Sequence, residues 1–254
     1  MTRLAVLALL ALWLAPVAQA PPEELDFVAV GVRYAADADP GRRAIDHDTI
    51  RRARFNVVAG PADATQPTTA LTRVDRPVAG APPVNALVRS ADLAVVPVTA
   101  TTTAENVKEA AWTLFARGAR GLLFGDWSAL QQNAAALAEA SAFAETITRN
   151  MALYAPLRPV EQTGPRAIAL KGGQDSVDAR WLESPEALLL VAVNHGAESR
   201  QVTFTFPPEV PEAVWQNMLS GGSVNFVAGA TGPYYEHTLP AHDVLVLMIR
   251  KRWK

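Results

Sequence analysis

The chain has 254 residues, half of them apolar, 19% charged, with a net charge of −2 and no cysteine. That apolar fraction is ample for a buried core, and the charge gives no field that would gather nucleic acid or an anionic membrane. The absence of cysteine excludes disulfides, thiolate metal sites and a cysteine nucleophile.

The first twenty residues read as a signal peptide. Arg3 supplies the positive end, residues 4–14 are an unbroken apolar run, and Ala18-Gln19-Ala20 is a small-x-small cleavage pattern. Pro21 and Pro22 fit a protease poorly just past the cut, so an uncleaved N-terminal anchor stands as the alternative. Either way the expected location is secreted or periplasmic, and no later segment is apolar for long enough to span a bilayer.

Residues 26–34 (DFVAVGVRY) read as a buried strand. After a turn at Asp39-Pro40-Gly41, residues 45–54 read as a short helix capped by Asp46 or Asp48, with Ile45 and Ile50 as its apolar contacts. A second strand at 55–58 completes one β-α-β unit, which implies a parallel pair. Residues 60–83 are rich in Pro, Gly, Ala and Thr and read as a long connection, with a short edge strand at 70–74.

A third strand is expected at 92–98, ending near Pro97. Thr102-x-x-Glu105 reads as a capping box, opening a helix with Val107, Ala111, Leu114 and Phe115 on one face and Gly118 at its end. Residues 121–124 are a fourth strand. Ser128-x-x-Gln131 reads as a second capping box, and the helix after it is expected to run to Tyr154. From Arg166 the apolar period falls to two. Eight strands are expected, at 167–170, 179–182, 188–194, 201–206, 214–217, 223–227, 234–239 and 244–249, the pattern of an antiparallel sandwich. The fold class is therefore α/β plus all-β. The expected domains are 21–160, a βα region, and 161–254, a C-terminal β-sandwich.

Three phrases carry a resemblance: VGVRY with RRARFNVV, then AAWTLFARGARGLLFGDW, then LLLVAVNHGAESRQVTF with YYEHTLPAHDVLVLMI. In this order they resemble the opening, the seventh-helix-to-eighth-strand stretch and the appended sandwich of a (β/α)8 glycoside hydrolase of the beta-galactosidase type. The resemblance implies a partial barrel-like domain. A complete eight-fold barrel takes about 250 residues, and only the first two and last two strands have counterparts here. It also implies saccharide as the ligand.

Glycoside cleavage uses two carboxyls flanking the bond. In the family that this chain resembles they follow the fourth and seventh strands. No fourth strand is recognisable, and VVPVTATTT stands where the seventh would present its acid. Glu105 is claimed by its cap. Asp126, after the last βα strand, is the remaining catalytic candidate, with capping of the next helix as its structural alternative. Trp127, Arg33, Tyr34 and Asn56 are the candidate substrate-binding residues on the same rim.

No metal or cofactor is expected. Asp37, Asp39, Asp46, His47 and Asp48 read as turn and cap residues, and the full calcium-loop spacing is missing. His195, His237 and His242 read as sandwich or turn residues. Ser128 and Ser141 lack a nucleophile elbow, and 250–254 (RKRWK) is a solvated basic tail. Three readings stand: a degenerate glycoside-hydrolase-like protein with a carbohydrate-binding or envelope role, an active hydrolase working near Asp126, and a truncated product.

Overall fold

The computed structural model describes residues 28–34, 39–59, 71–73, 93–210 and 213–251. The leader, Asp37, most of the Pro/Gly-rich connection and the last three residues of the basic tail lie outside them.

The N-terminal unit is built on one sheet. β1 (Ala29–Arg33), β2 (Val57–Ala59), β4 (Leu93–Val96) and β5 (Gly121–Asp126) run parallel, and β3 (Leu71–Arg73) lies antiparallel on β2. The order is β3-β2-β1-β5-β4, so the first strand sits between the second and the last. Among the described residues this sheet is open, with β3 and β4 as edges, and it does not close into a barrel. Gly31 is required at its centre: a Cβ there would lie 2.0 Å from the Val57 carbonyl oxygen on β2.

The first helix, α1 (Pro40–Arg52), begins five residues before the expected start. Pro40 sits in its first turn and Asp39, not Asp46 or Asp48, caps it by accepting from the Gly41 N–H at 2.8 Å. Of the two isoleucines expected to anchor it, Ile50 is fully buried and Ile45 is 64% exposed. α2 (Ala104–Ala116) is capped by Thr103, whose hydroxyl accepts from Asn106 N–H while the Asn106 side chain accepts from Thr103 N–H. The box therefore lies one residue beyond Thr102-x-x-Glu105, and Glu105 is outside it. The long helix expected after Ser128 is three: α3 (Trp127–Gln131), α4 (Ala134–Arg149) and α5 (Met151–Tyr154). Asn133, rather than Ser128, supplies the working cap, accepting from Ala136 N–H at 3.0 Å.

These helices pack through rings. Trp112 of α2 meets Phe143 of α4 edge-on at 4.9 Å, and Phe115, Phe124 and Tyr154 complete the cluster. Burial raises the Tyr154 phenol above its ordinary range.

The C-terminal unit is an antiparallel sandwich. Its larger sheet takes β6 (Arg158–Pro159), β8 (Val177–Glu183), β9 (Ala187–Asn194), β11 (Val214–Asn217), β12 (Ser223–Asn225) and β14 (Val244–Arg250), in the order β12-β11-β14-β9-β8-β6. The smaller takes β7 (Ala169–Lys171), β10 (Arg200–Thr205) and β13 (Tyr234–Leu239), in the order β13-β10-β7. Between them lie Trp181, Phe204, Phe206, Trp215 and Phe226.

The middle strands of the larger sheet are buried on both faces. Leu188, Leu190, Leu245 and Leu247 point into the sandwich. Leu189, Val191, Val193, Val244 and Val246 join the same core as α2, α4 and the parallel sheet. This is why LLLVAV and VLVLMI read as continuous apolar runs rather than as alternation.

Candidate functional site

The strand ends of the parallel sheet bring Arg33 and Asp126 together: they are register partners on β1 and β5, just after an irregularity between Gly31 and Arg33. Asp126 is exposed and stands at the N-terminal boundary of α3, yet its side chain makes no capping bond. The Arg33 Nε is buried without a hydrogen-bond partner. A buried donor left unsatisfied costs about 1–3 kcal/mol, and among the described residues Thr113 Oγ1, Trp127 Nε1, Tyr154 Oη and Trp215 Nε1 share that condition.

Tyr34 and Asn56, expected on the same rim, have structural partners. Tyr34 donates its hydroxyl to Asp46 Oδ2 at 3.1 Å, and its ring meets His47 edge-on at 5.3 Å. Arg42 lies 3.5 Å from the same carboxylate oxygen. Asn56 bridges into β1: its Oδ1 accepts from Val30 N–H at 2.8 Å and its Nδ2 donates to the Val28 carbonyl at 2.9 Å. Trp127 is 3% exposed, so its ring faces the core.

The loop after β4 is closed on itself. Asn133 donates to the Thr99 and Thr102 carbonyls at 3.0 and 2.8 Å, and the Thr99 hydroxyl lies 3.1–3.2 Å from those of Thr101 and Thr102. Hydroxyls thus occupy the strand end at which the resemblance would place an acid. Glu105 stands nearby, fully exposed; its own backbone N–H and the Thr103 hydroxyl hold its carboxyl below the usual range. The carboxylates of α1 are engaged, Asp46 as above and Asp48 by Arg51 and Arg52. Among the described residues no cluster of three or more His, Cys, Asp or Glu is arranged to hold a metal ion.

A polar joint between the two units has no counterpart in the sequence reasoning. Glu109 of α2 receives His195 Nδ1 at 3.1 Å and His242 Nδ1 at 2.8 Å, one on each carboxylate oxygen. Beside it Lys108 donates to Asp243 at 2.6 Å, and Arg117 to Asp178 at 2.9 Å. These partners are separated by 61 to 135 residues, so no local spacing announces them. Further along the sandwich, Glu183 takes hydrogen bonds from both Arg166 and Lys251. Partial burial pulls the Glu183 carboxyl upward, and these two cations outweigh it and hold it below its ordinary value.

No family model matches this sequence, and no curated protein matches it. Solved structures do. An alpha-amylase from Geobacillus thermoleovorans, complexed with acarbose, is 10% identical over 63% of this chain and 38% of its own, with a TM-score of 0.44. A GH30 endoxylanase from Clostridium papyrosolvens C71 is 11% identical over 63% of this chain and 42% of its own, with a TM-score of 0.41. Gan42B, a GH42 beta-galactosidase from G. stearothermophilus, is 17% identical over 33% of this chain and 10% of its own, with a TM-score of 0.24. This chain spans less than half the length of each. At these identities and TM-scores the likeness is partial and assigns this chain no activity or substrate. No described helix is long and apolar enough to cross a membrane.

Proposed function

We propose that this is an exported, glycoside-hydrolase-like protein that binds carbohydrate at the C-terminal edge of its parallel sheet without cleaving it, serving a binding or structural role in the cell envelope. The observation that carries the reading is the pairing of an exposed, unengaged Asp126 carboxylate with the unpartnered Arg33 Nε on adjacent strand ends. A carboxylate and a guanidinium carried on adjacent strand ends can accept from and donate to sugar hydroxyls. Acetal cleavage asks for a second carboxyl about 5 to 10 Å away. The acids of α1 on this rim are tied to Tyr34 and to arginines. Export is supported by the sequence of the first twenty residues.

The test uses the purified chain and Asp126→Ala. Affinity electrophoresis through gels containing neutral polysaccharides is expected to show retention that weakens by about tenfold in the variant, the value of one charge-assisted hydrogen bond. Aryl glycosides are expected to stay intact. Turnover by the native chain that disappears in Asp126→Ala would instead make this an active hydrolase with Asp126 in the reaction.

A further inference from the structure

A second concavity lies far in sequence from Asp126. A cleft of about 1120 Å³ opens between the C-terminal end of α4, the β11–β12 hairpin and the end of β14. Among the described residues that line it, three are cations, Arg149, Arg250 and Lys251, and none is Asp or Glu. In a chain whose net charge is −2, that is a local reversal of sign.

The three cations are held differently. Lys251 is tied to Glu183. Arg149 pairs with Glu145 one turn back on α4, with side chains 71% and 42% exposed; such an exposed helical pair is worth a few tenths of a kcal/mol and yields readily to a competing anion. Arg250 is exposed and makes no ion pair among the described residues. The opposite wall is a shaped hairpin. Asn217 Oδ1 accepts from the Leu219 and Ser220 N–H groups at 2.9 and 3.0 Å, which fixes the turn, and Gly221 takes a φ of 75° that closes it.

We infer that this cleft binds an acidic oligosaccharide, a chain of uronic acid residues. Carboxylates every residue or two would meet Arg250 and Arg149 through charge-assisted bonds. Gln216 and Asn150 offer amides that both donate to and accept from hydroxyls. Met248, the register partner of Gln216, gives an apolar contact for the C–H face of a pyranose. Nucleic acid fits less well, because among the described residues no aromatic ring lines the cleft to stack a base. This site is independent of the Asp126 reading and stands if that one fails.

The experiment is calorimetric titration of the purified chain with tetragalacturonate at low ionic strength. Cellotetraose, a hexaglutamate peptide and phosphatidylglycerol vesicles serve as separate arms. The uronate is expected to bind at least about tenfold more tightly than the neutral tetrasaccharide, and to weaken as salt is raised. Arg250→Glu is expected to weaken it at least about tenfold, and Arg149→Glu to weaken it as well; circular dichroism of both variants checks that the fold is intact. Neutral-polysaccharide retention unchanged in Arg250→Glu separates this cleft from the sheet edge. Equal affinity for cellotetraose that Arg250→Glu weakens and Asp126→Ala does not overturns the inference. So does uronate binding that survives both charge reversals, or binding of the peptide or vesicles as tight as that of the uronate.

Discussion

In the sandwich, buried polar side chains hold turns in place. Asn194 has no exposed surface; its Nδ2 donates to the carbonyls of Glu198 and Pro240, both at 2.8 Å, and its Oδ1 accepts from Gly196 N–H at 3.0 Å. In the parallel unit, the polar groups at the ends of β1 and β5 are left over: the Arg33 Nε has no partner, and the Asp126 carboxylate has none. Folding satisfies buried polar atoms almost everywhere; the exceptions among the described residues fall in both units, Trp215 Nε1 in the sandwich and Arg33 Nε, Thr113 Oγ1, Trp127 Nε1 and Tyr154 Oη in the parallel one. The Asn194 bonds are assigned to stability, and recognition at the strand ends is the proposal that sugar binding tests.

The largest expected effect concerns what the two regions share. Trp112→Ala removes the centre of the ring cluster and is expected to cost about 3–5 kcal/mol, with Trp215→Ala in the sandwich costing a similar amount. Because β9 and β14 belong to both cores, urea unfolding of either variant should remain one transition, with fluorescence and circular dichroism coincident. Two separated transitions would make the regions independent. Next, Asn194→Ala is expected to cost about 2–4 kcal/mol, since it strands several buried backbone groups at once. A loss well under 1 kcal/mol in the same unfolding experiment would end the assignment of Asn194 to stability.

The smallest effect is electrostatic. Arg166 and Lys251 depress the folded-state pKa of Glu183 below its unfolded value. Its contribution to stability is therefore present above the ordinary carboxylate range and lost as pH falls through the folded value. Melting temperatures of the native chain and Glu183→Gln should differ most at neutral pH and converge in acid. A gap that widens in acid would reverse the sign.

The sandwich was the legible part. β11 and β13 occupy the expected 214–217 and 234–239, because period-two burial and turn residues coincide there. The edge strand expected at 70–74 is present as Leu71–Arg73. The helix starts were less legible, since competing caps lie one or a few residues apart. Asp39-Pro40-Gly41 suits a turn as well as a helix start, and Thr102 and Thr103 both precede a side chain able to complete a box. Asp126 and Arg33 could be named from the sequence as strand-end residues; their mutual register could not. Trp127 and Asn56 show why: residue type says that a ring or an amide is present, and only the fold says whether it faces water or the neighbouring strand. The Glu109 joint and the cationic cleft are assembled from distant segments and leave no local trace.

The twofold burial of β9 and β14 limits how this chain can be divided. A cut near Pro159 would strip one side of the larger sheet and leave Leu189, Val191, Val193, Val244 and Val246 facing water together, a wide sticky plane of the kind that drives precipitation. The sandwich is thus not a detachable appendage of the helical layer. Gene fusion or loss would have to carry both parts across intact, and a substitution on either central strand answers to two sets of neighbours at once.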